Sequence, residues 1–155
     1  MPEFITAVTE EHYREARALL REYEVEIEVD LCFQGFEEEL ETLDRVYGSP
    51  GGRFFLVRQG ERTAGCVALR DLGSGICEMK RLFVRPGFRG KGLGRECAER
   101  IVRTAREMGY AAMRLDTLPA MHPAIGLYRS MGFTEIAPYT VNPCEGALFM
   151  ELGLE

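Results

Sequence analysis

Apolar and polar positions along the 155 residues follow two periods, and the switches between them mark the elements. Residues 4–8 read as a short opening strand; Thr9, followed by Glu10 and Glu11, offers an N-cap with acids in the first turn. Ala16, Leu19, Leu20 and Tyr23 then share one helical stripe to about residue 25. Phe33, Phe36, Leu40, Leu43 and Val46 stand three and four apart, which predicts a second amphipathic helix with its glutamates facing water. A glycine-proline cluster at 48–52 ends it. Strand-like runs at 54–58 and 63–70, split by Gln59-Gly60-Glu61-Arg62, form a hairpin signal, and Gly73-Ser74-Gly75 turns the chain into a third run, 76–84.

Pro86-Gly87 stops that run, and after a glycine-rich loop the spacing becomes helical again, with Cys97, Ile101, Val102 and Ala105 on one stripe. Met108-Gly109-Tyr110 closes this helix with a glycine C-cap, and residues 112–118 return as a strand. Strand, helix and strand make a βαβ unit, so these two strands pair in parallel. A helix over 121–131, stopped by Gly132, and strands at 133–136 and 147–151 complete a mixed sheet with helices on both faces.

The stretch from Cys77 to Arg106 carries the chemistry. Two glycines two apart let the backbone approach a ligand, and the first-turn amides of the following helix point unpaired at whatever sits there. A phosphate is the natural guest. Neither common nucleotide motif fits: no Lys-Ser or Lys-Thr pair follows Gly90, and the third small residue of a dinucleotide fingerprint, Ala98, falls one position late after Gly92 and Gly94.

Charge sharpens this reading. The net charge is -6, but residues 1–50 hold 14 acids against 4 arginines while residues 76–110 hold 9 Lys and Arg against 4 acids. A basic glycine turn suits a polyanionic cofactor, and the acidic segment could attract a cationic acceptor. With an acidic total, no Trp and a short basic segment, nucleic acid is a poor partner. Five cysteines without a CxxC pair, together with two distant histidines, predict neither a disulfide framework nor a metal site. An acidic start and the lack of an 18-residue apolar window predict no signal peptide, no membrane span and a cytoplasmic location. The length predicts one domain over 1–155.

The spacing Arg89-x-x-Gly92-x-Gly94 resembles the R/Q-x-x-G-x-G/A turn of the GNAT acetyltransferases, and its flanks resemble theirs as well. Leu82-Phe83-Val84-Arg85-Pro86 matches their L-x-V-x-P strand, and Ala124 to Phe133 matches their A-x-x-L-Y-x-x-x-G-F segment. The resemblance covers about residues 53–151. It implies an α/β (α+β) fold: a mixed, mostly antiparallel sheet of about 6–7 strands, helices on both faces, and a splayed parallel strand pair at the centre.

It further implies an acetyl-CoA-dependent N-acetyltransferase in which a primary amine of a small molecule or peptide attacks directly in a ternary complex. The cofactor's arm would lie along Leu82, Phe83 and Val84, with the Leu82 amide on the acetyl oxygen, and its diphosphate would lie on Arg89, Gly90, Lys91, Gly92, Leu93, Gly94 and Arg95. Tyr128 corresponds to the family's general acid, and Glu78 to the general base of the histone-acetyltransferase branch. On a regular strand Glu78, Lys80 and Leu82 share a face; the alternative role of Glu78 is a charge paired with Lys80 or Arg81. Met121 replaces an asparagine that many members use to bond the cofactor arm. Glu37, Glu38, Glu41, Tyr139 and Asn142 are candidates to frame the acceptor, and a homodimer through the last strands is common in the family. A different class of reading is a non-catalytic acyl-CoA-binding or regulatory module; the presence of Glu78 and Tyr128 speaks against it.

Overall fold

The structure is a computed structural model, which describes residues 2–27, 35–118, 122–142 and 146–154. Seven strands form one sheet in the order β1-β2-β3-β4-β5-β7-β6. They are β1 (Pro2–Thr6), β2 (Arg53–Gln59), β3 (Arg62–Gly73), β4 (Ile76–Val84), β5 (Ala112–Thr117), β6 (Thr134–Ile136) and β7 (Leu148–Gly153). All neighbours are antiparallel except β4 and β5, the parallel pair that the βαβ order requires. The helices are α1 (Glu10–Ile27), α2 (Phe36–Glu41), α3 (Leu43–Val46), α4 (Leu93–Glu107) and α5 (His122–Ser130).

Two cores sandwich the sheet. In β2, Phe55 and Val57 belong to one cluster with Leu93, Cys97, Ile101, Val102 and Ala105 of α4, while Phe54 and Leu56 belong to a second with Leu19 and Leu20 of α1 and Phe36 and Leu40 of α2. Burial on both sides is why residues 54–57 read as an unbroken apolar run. Each fully buried aliphatic side chain contributes roughly 1.5–3 kcal/mol, so α4 is anchored by its stripe rather than by its exposed arginines.

The helix ends follow local chemistry. The Thr9 hydroxyl accepts from the His12 amide at 3.1 Å, and His12 Nδ1 accepts from the Thr9 amide at 3.2 Å, a capping box with histidine as the returning group. At the end of α4, the Tyr110 amide bonds Ala105 and the Gly109 amide bonds Arg106, with Gly109 at φ +90°; this is a Schellman motif. The single second helix expected from the spacing is instead two, because Thr42, at φ -126°, leaves the helical region and turns its hydroxyl back onto the Glu38 carbonyl. Phe33 of that expected stripe lies outside the described residues, as do Cys32, Cys144 and Met121.

Candidate functional site

β4 bonds to β5 only where residues 76–78 meet residues 112–114. Beyond Glu78 and Arg114 the two parallel strands part, β4 continuing to Val84 and β5 to Thr117. On the other side of β4, Cys66 pairs with Phe83 and Ala68 with Lys80, so Arg81 and Leu82 together oppose Val67. That is a β-bulge, and Arg81 sits in it at φ +60°. The bulge resets the alternation. Cys77 and Met79 before it, and Leu82 and Val84 after it, pack toward α4, whereas Phe83 packs toward α1. The expected common face of Glu78, Lys80 and Leu82 is therefore corrected: Glu78 and Lys80 share theirs with Arg81, and the bulge turns Leu82 to the opposite one.

What holds the bulge is a buried ion pair. Arg81, 5% exposed, donates from Nε and Nη2 to both oxygens of Glu39, 8% exposed, at 2.9 and 2.8 Å, and Tyr47 donates to Glu39 Oε2 at 2.8 Å. Phe36 and Tyr23 lie against the guanidinium at 5.2 and 5.9 Å. Burial alone raises the Glu39 pKa, but the Arg81 bonds and charge, helped by Tyr47, outweigh it and hold the carboxyl below its usual range. Glu39 was expected to face water, so this too is a correction. It stands three residues after Phe36 and four before Leu43, on the inward stripe, and the spacing alone carried that signal.

Glu78, 1% exposed, has both carboxylate oxygens taken. Arg70, its cross-strand partner on β3, donates from Nε to Oε1 at 2.7 Å; the Tyr139 hydroxyl donates to Oε2 at 2.6 Å. Its hydrogen-bond partners are therefore Arg70 and Tyr139, and its charge also acts on Lys80 beside it. A turn centred on Ser74 puts 70 opposite 78, so the Gly-Ser-Gly signal already implied the Arg70 contact. Asn142 Nδ2 donates to Asp116 Oδ2 on β5 at 3.0 Å. The loop 137–142 is thus tied to both parting strands, by Tyr139 to β4 and by Asn142 to β5. Arg114 lies over the Tyr139 ring at 5.3 Å, and Phe149 meets it edge-on at 5.3 Å. Burial, then the Glu78 charge, pushes the Tyr139 phenol well above its ordinary value. Burial, then the Arg81 charge, lowers the Lys80 ammonium.

Of the acceptor candidates, Tyr139 and Asn142 therefore meet Glu78 and Asp116. Glu37 and Glu41 stand apart: Glu37 pairs with Arg21 at 2.6 and 2.8 Å on the surface, and Glu41 lines an open depression with Glu10, Tyr13, Arg17 and Asp44. Glu38 is exposed on α2.

At the far end of β4, Gly90 and Gly92 take φ +82° and +79°, and Gly92 caps α4. A Cβ added at Gly90, Gly92 or Gly94 would meet no atom within 4 Å, so the outer face of the turn is open. The amides of Leu93, Gly94 and Arg95 are first-turn donors with no intrahelical acceptor. Lys91 is exposed there. Arg89 is engaged with Glu26 at 2.8 Å and with the Val84 carbonyl at 2.8 Å; Arg95 donates to Ser130 at 2.7 Å.

Tyr128 lies in the last turn of α5, where its carbonyl takes part in another Schellman motif. The Phe133 amide bonds the Tyr128 carbonyl at 3.0 Å, the Gly132 amide bonds Arg129, and the two rings lie 5.7 Å apart. Burial, with a smaller effect of the nearby Tyr23, raises the Tyr128 pKa above its ordinary phenol value. Tyr23, read from the sequence only as part of the α1 apolar stripe, was not picked out as a neighbour of the site. Cys77 and Cys97 are pushed by burial up to about 12, and Cys66 higher, so none of the three offers a thiolate.

Residues 11–133 match the model of the acetyltransferase (GNAT) family. An uncharacterised N-acetyltransferase of Schizosaccharomyces pombe is 42% identical over 138 residues, spanning 88% of this chain and 85% of its own. The crystal structure of a GNAT-family acetyltransferase from Staphylococcus aureus superposes with a TM-score of 0.82 at 20% identity, over all of both chains. The Salmonella typhimurium protein yncA, determined with its cofactor acetyl-CoA, gives 0.68 at 20% identity over 99% of this chain and 94% of its own.

Proposed function

Since the chain belongs to the acetyltransferase (GNAT) family and is an acyltransferase, we propose that it moves the acetyl group of acetyl-CoA to a primary amine of a small molecule or peptide by direct attack. The observation that carries this reading is the parting of β4 and β5 beyond Glu78, in line with an open glycine turn. Bound acetyl-CoA supplies an activated acetyl thioester.

The chain's own groups divide the remaining work. Backbone of Leu82, Phe83 and Val84 is left without a β5 partner and can pair with an extended arm, the Leu82 amide donating to the acetyl oxygen. The amides from Gly90 to Arg95, with Lys91 beside them, suit a diphosphate, while the Arg89 amide already donates to the Pro86 carbonyl. Tyr128, a phenol and so protonated at neutral pH, is the acid for the departing thiolate. Glu78 is the site's carboxylate for the amine's proton, and Tyr139 and Asn142 frame the acceptor. With no thiolate available at Cys66, Cys77 or Cys97, no acyl-enzyme is invoked. We take residues 1–155 as one cytoplasmic domain; no described helix is long and apolar enough to cross a membrane.

Thermal melts test the cofactor. Acetyl-CoA at about 100 times its Kd adds about 2.7 kcal/mol, a rise of roughly 5–10 °C for a chain of this size. No rise at that excess counts against the reading. Thiol release from acetyl-CoA across a panel of amines then separates transfer from mere binding.

A further inference from the structure

We propose that Tyr139, rather than Glu78 itself, meets the acceptor nitrogen, and that the pair passes on the amine's proton as a relay. This rests on the acetyl-transfer reading and adds a residue to it. Glu78 is the last residue of β4 bonded to β5, so it lies at the vertex where the opening begins. It is 1% exposed and already accepts from Arg70 at 2.7 Å and from Tyr139 at 2.6 Å. An incoming amine would have to break one of those bonds to reach the carboxylate. The Tyr139 oxygen, by contrast, donates its single proton to Glu78 and keeps lone pairs to accept from an N–H. It is partly exposed, on a loop that spans the opening.

As the amine nitrogen bonds the acetyl carbon and the C–S bond breaks, the nitrogen's proton goes to the Tyr139 oxygen and the Tyr139 proton goes to Glu78. The thiolate takes a proton from Tyr128, and solvent later returns one to Tyr128 and removes one from Glu78. A neutral phenol is a poor base, and one held above its ordinary pKa gives up its own proton reluctantly, so the two transfers have to be concerted. The charges facing the pair are Arg70 from β3, Lys80 from β4, Arg114 and Asp116 from β5, and Glu151, which binds Arg114 at 2.8 Å, from β7.

Hydroxylamine, small enough for any amine site and largely uncharged near neutral pH, serves as the probe, with thiol release from acetyl-CoA as the readout. Y139F keeps the ring between Arg114 and Phe149, and melts with acetyl-CoA verify its fold and its cofactor binding. The relay predicts that Y139F and E78Q each lower kcat about 100-fold with the acetyl-CoA melting shift retained, and that the double variant is no worse than either. Replacing Tyr139 with 3-fluorotyrosine, which keeps the ring and its hydroxyl but makes the phenol more acidic, should change kcat while leaving the acetyl-CoA melting shift in place, which a merely structural ring would not do. Wild-type kcat in Y139F, or loss in E78Q alone, overturns the relay and leaves acetyl transfer standing. A native chain that shows the acetyl-CoA shift yet releases no thiol overturns the transfer reading, and the relay with it.

Discussion

Arg81 combines two costs that must be met by the same contacts. A non-glycine residue at φ +60° is strained by about 1–3 kcal/mol, and a guanidinium 5% exposed has lost its water. Glu39, through two charge-assisted bonds, and Tyr47 behind it offset both. Replacing Glu39 with Gln removes the charge and leaves Arg81 uncompensated, so urea denaturation should show a loss of about 3–5 kcal/mol. The pH dependence has a definite sign. Because the folded Glu39 pKa lies below the unfolded value of about 4.5, its contribution is fully present above that value and is lost as pH falls through the folded one. The urea midpoint of the native chain should therefore fall more steeply than that of E39Q below about pH 4.5; parallel decline would mean that Glu39 is not held this way. Strand propensity allowed a strand over 76–84 and nothing more. A bulge is set by a pairing register and by a partner 42 residues away, and neither is written in the local pattern.

At the scale of elements, the glycine turn and α4 were legible, because periodicity, a stop at Pro86 and two spaced glycines are all local signals. What the turn's arginines touch was not. The charge asymmetry between residues 1–50 and 76–110 turns out to be partly internal: Glu22 on α1 binds Arg85 at 2.6 and 2.9 Å, and Glu26 binds Arg89 at 2.8 Å. A diphosphate on the turn would compete with Glu26 for Arg89. Exposed pairs are worth about 0.2–1 kcal/mol, so E26Q should tighten acetyl-CoA binding by roughly 1.5- to 5-fold in low-salt calorimetry. Unchanged affinity would mean that Arg89 stays out of the cofactor site. The glycines separate two roles. Gly92 needs its positive φ, so G92A should lose about 1–2 kcal/mol on strain alone. Gly94 has no positive φ and stands in the first turn of α4 with free space outside; G94A should hold or raise the melting temperature while weakening acetyl-CoA, since its methyl projects where the diphosphate would approach.

Over the whole molecule, one sheet is made of two parts joined at a narrow seam. The antiparallel meander β1 to β4 and the trio β5, β7 and β6 meet through three parallel residue pairs, after which β4 and β5 are held in the same fold by α4, α5 and the loop 137–142 instead of by each other. The βαβ order made the parallel pair legible; the length of its pairing depends on the bulge and so was not. Among the described residues β4 and β5 do not pair with each other beyond Glu78 and Arg114, and the amides along that gap should be the ones that a bound extended arm protects. Hydrogen exchange should therefore slow on adding acetyl-CoA in peptides covering 79–84 and 115–117, where the strands have parted, and along the turn at 89–95. Peptides from 53–57 lie in a strand paired on both edges and serve as the reference that stays constant. Uniform slowing over both regions would indicate global stabilisation without insertion, and would move the cofactor out of the seam.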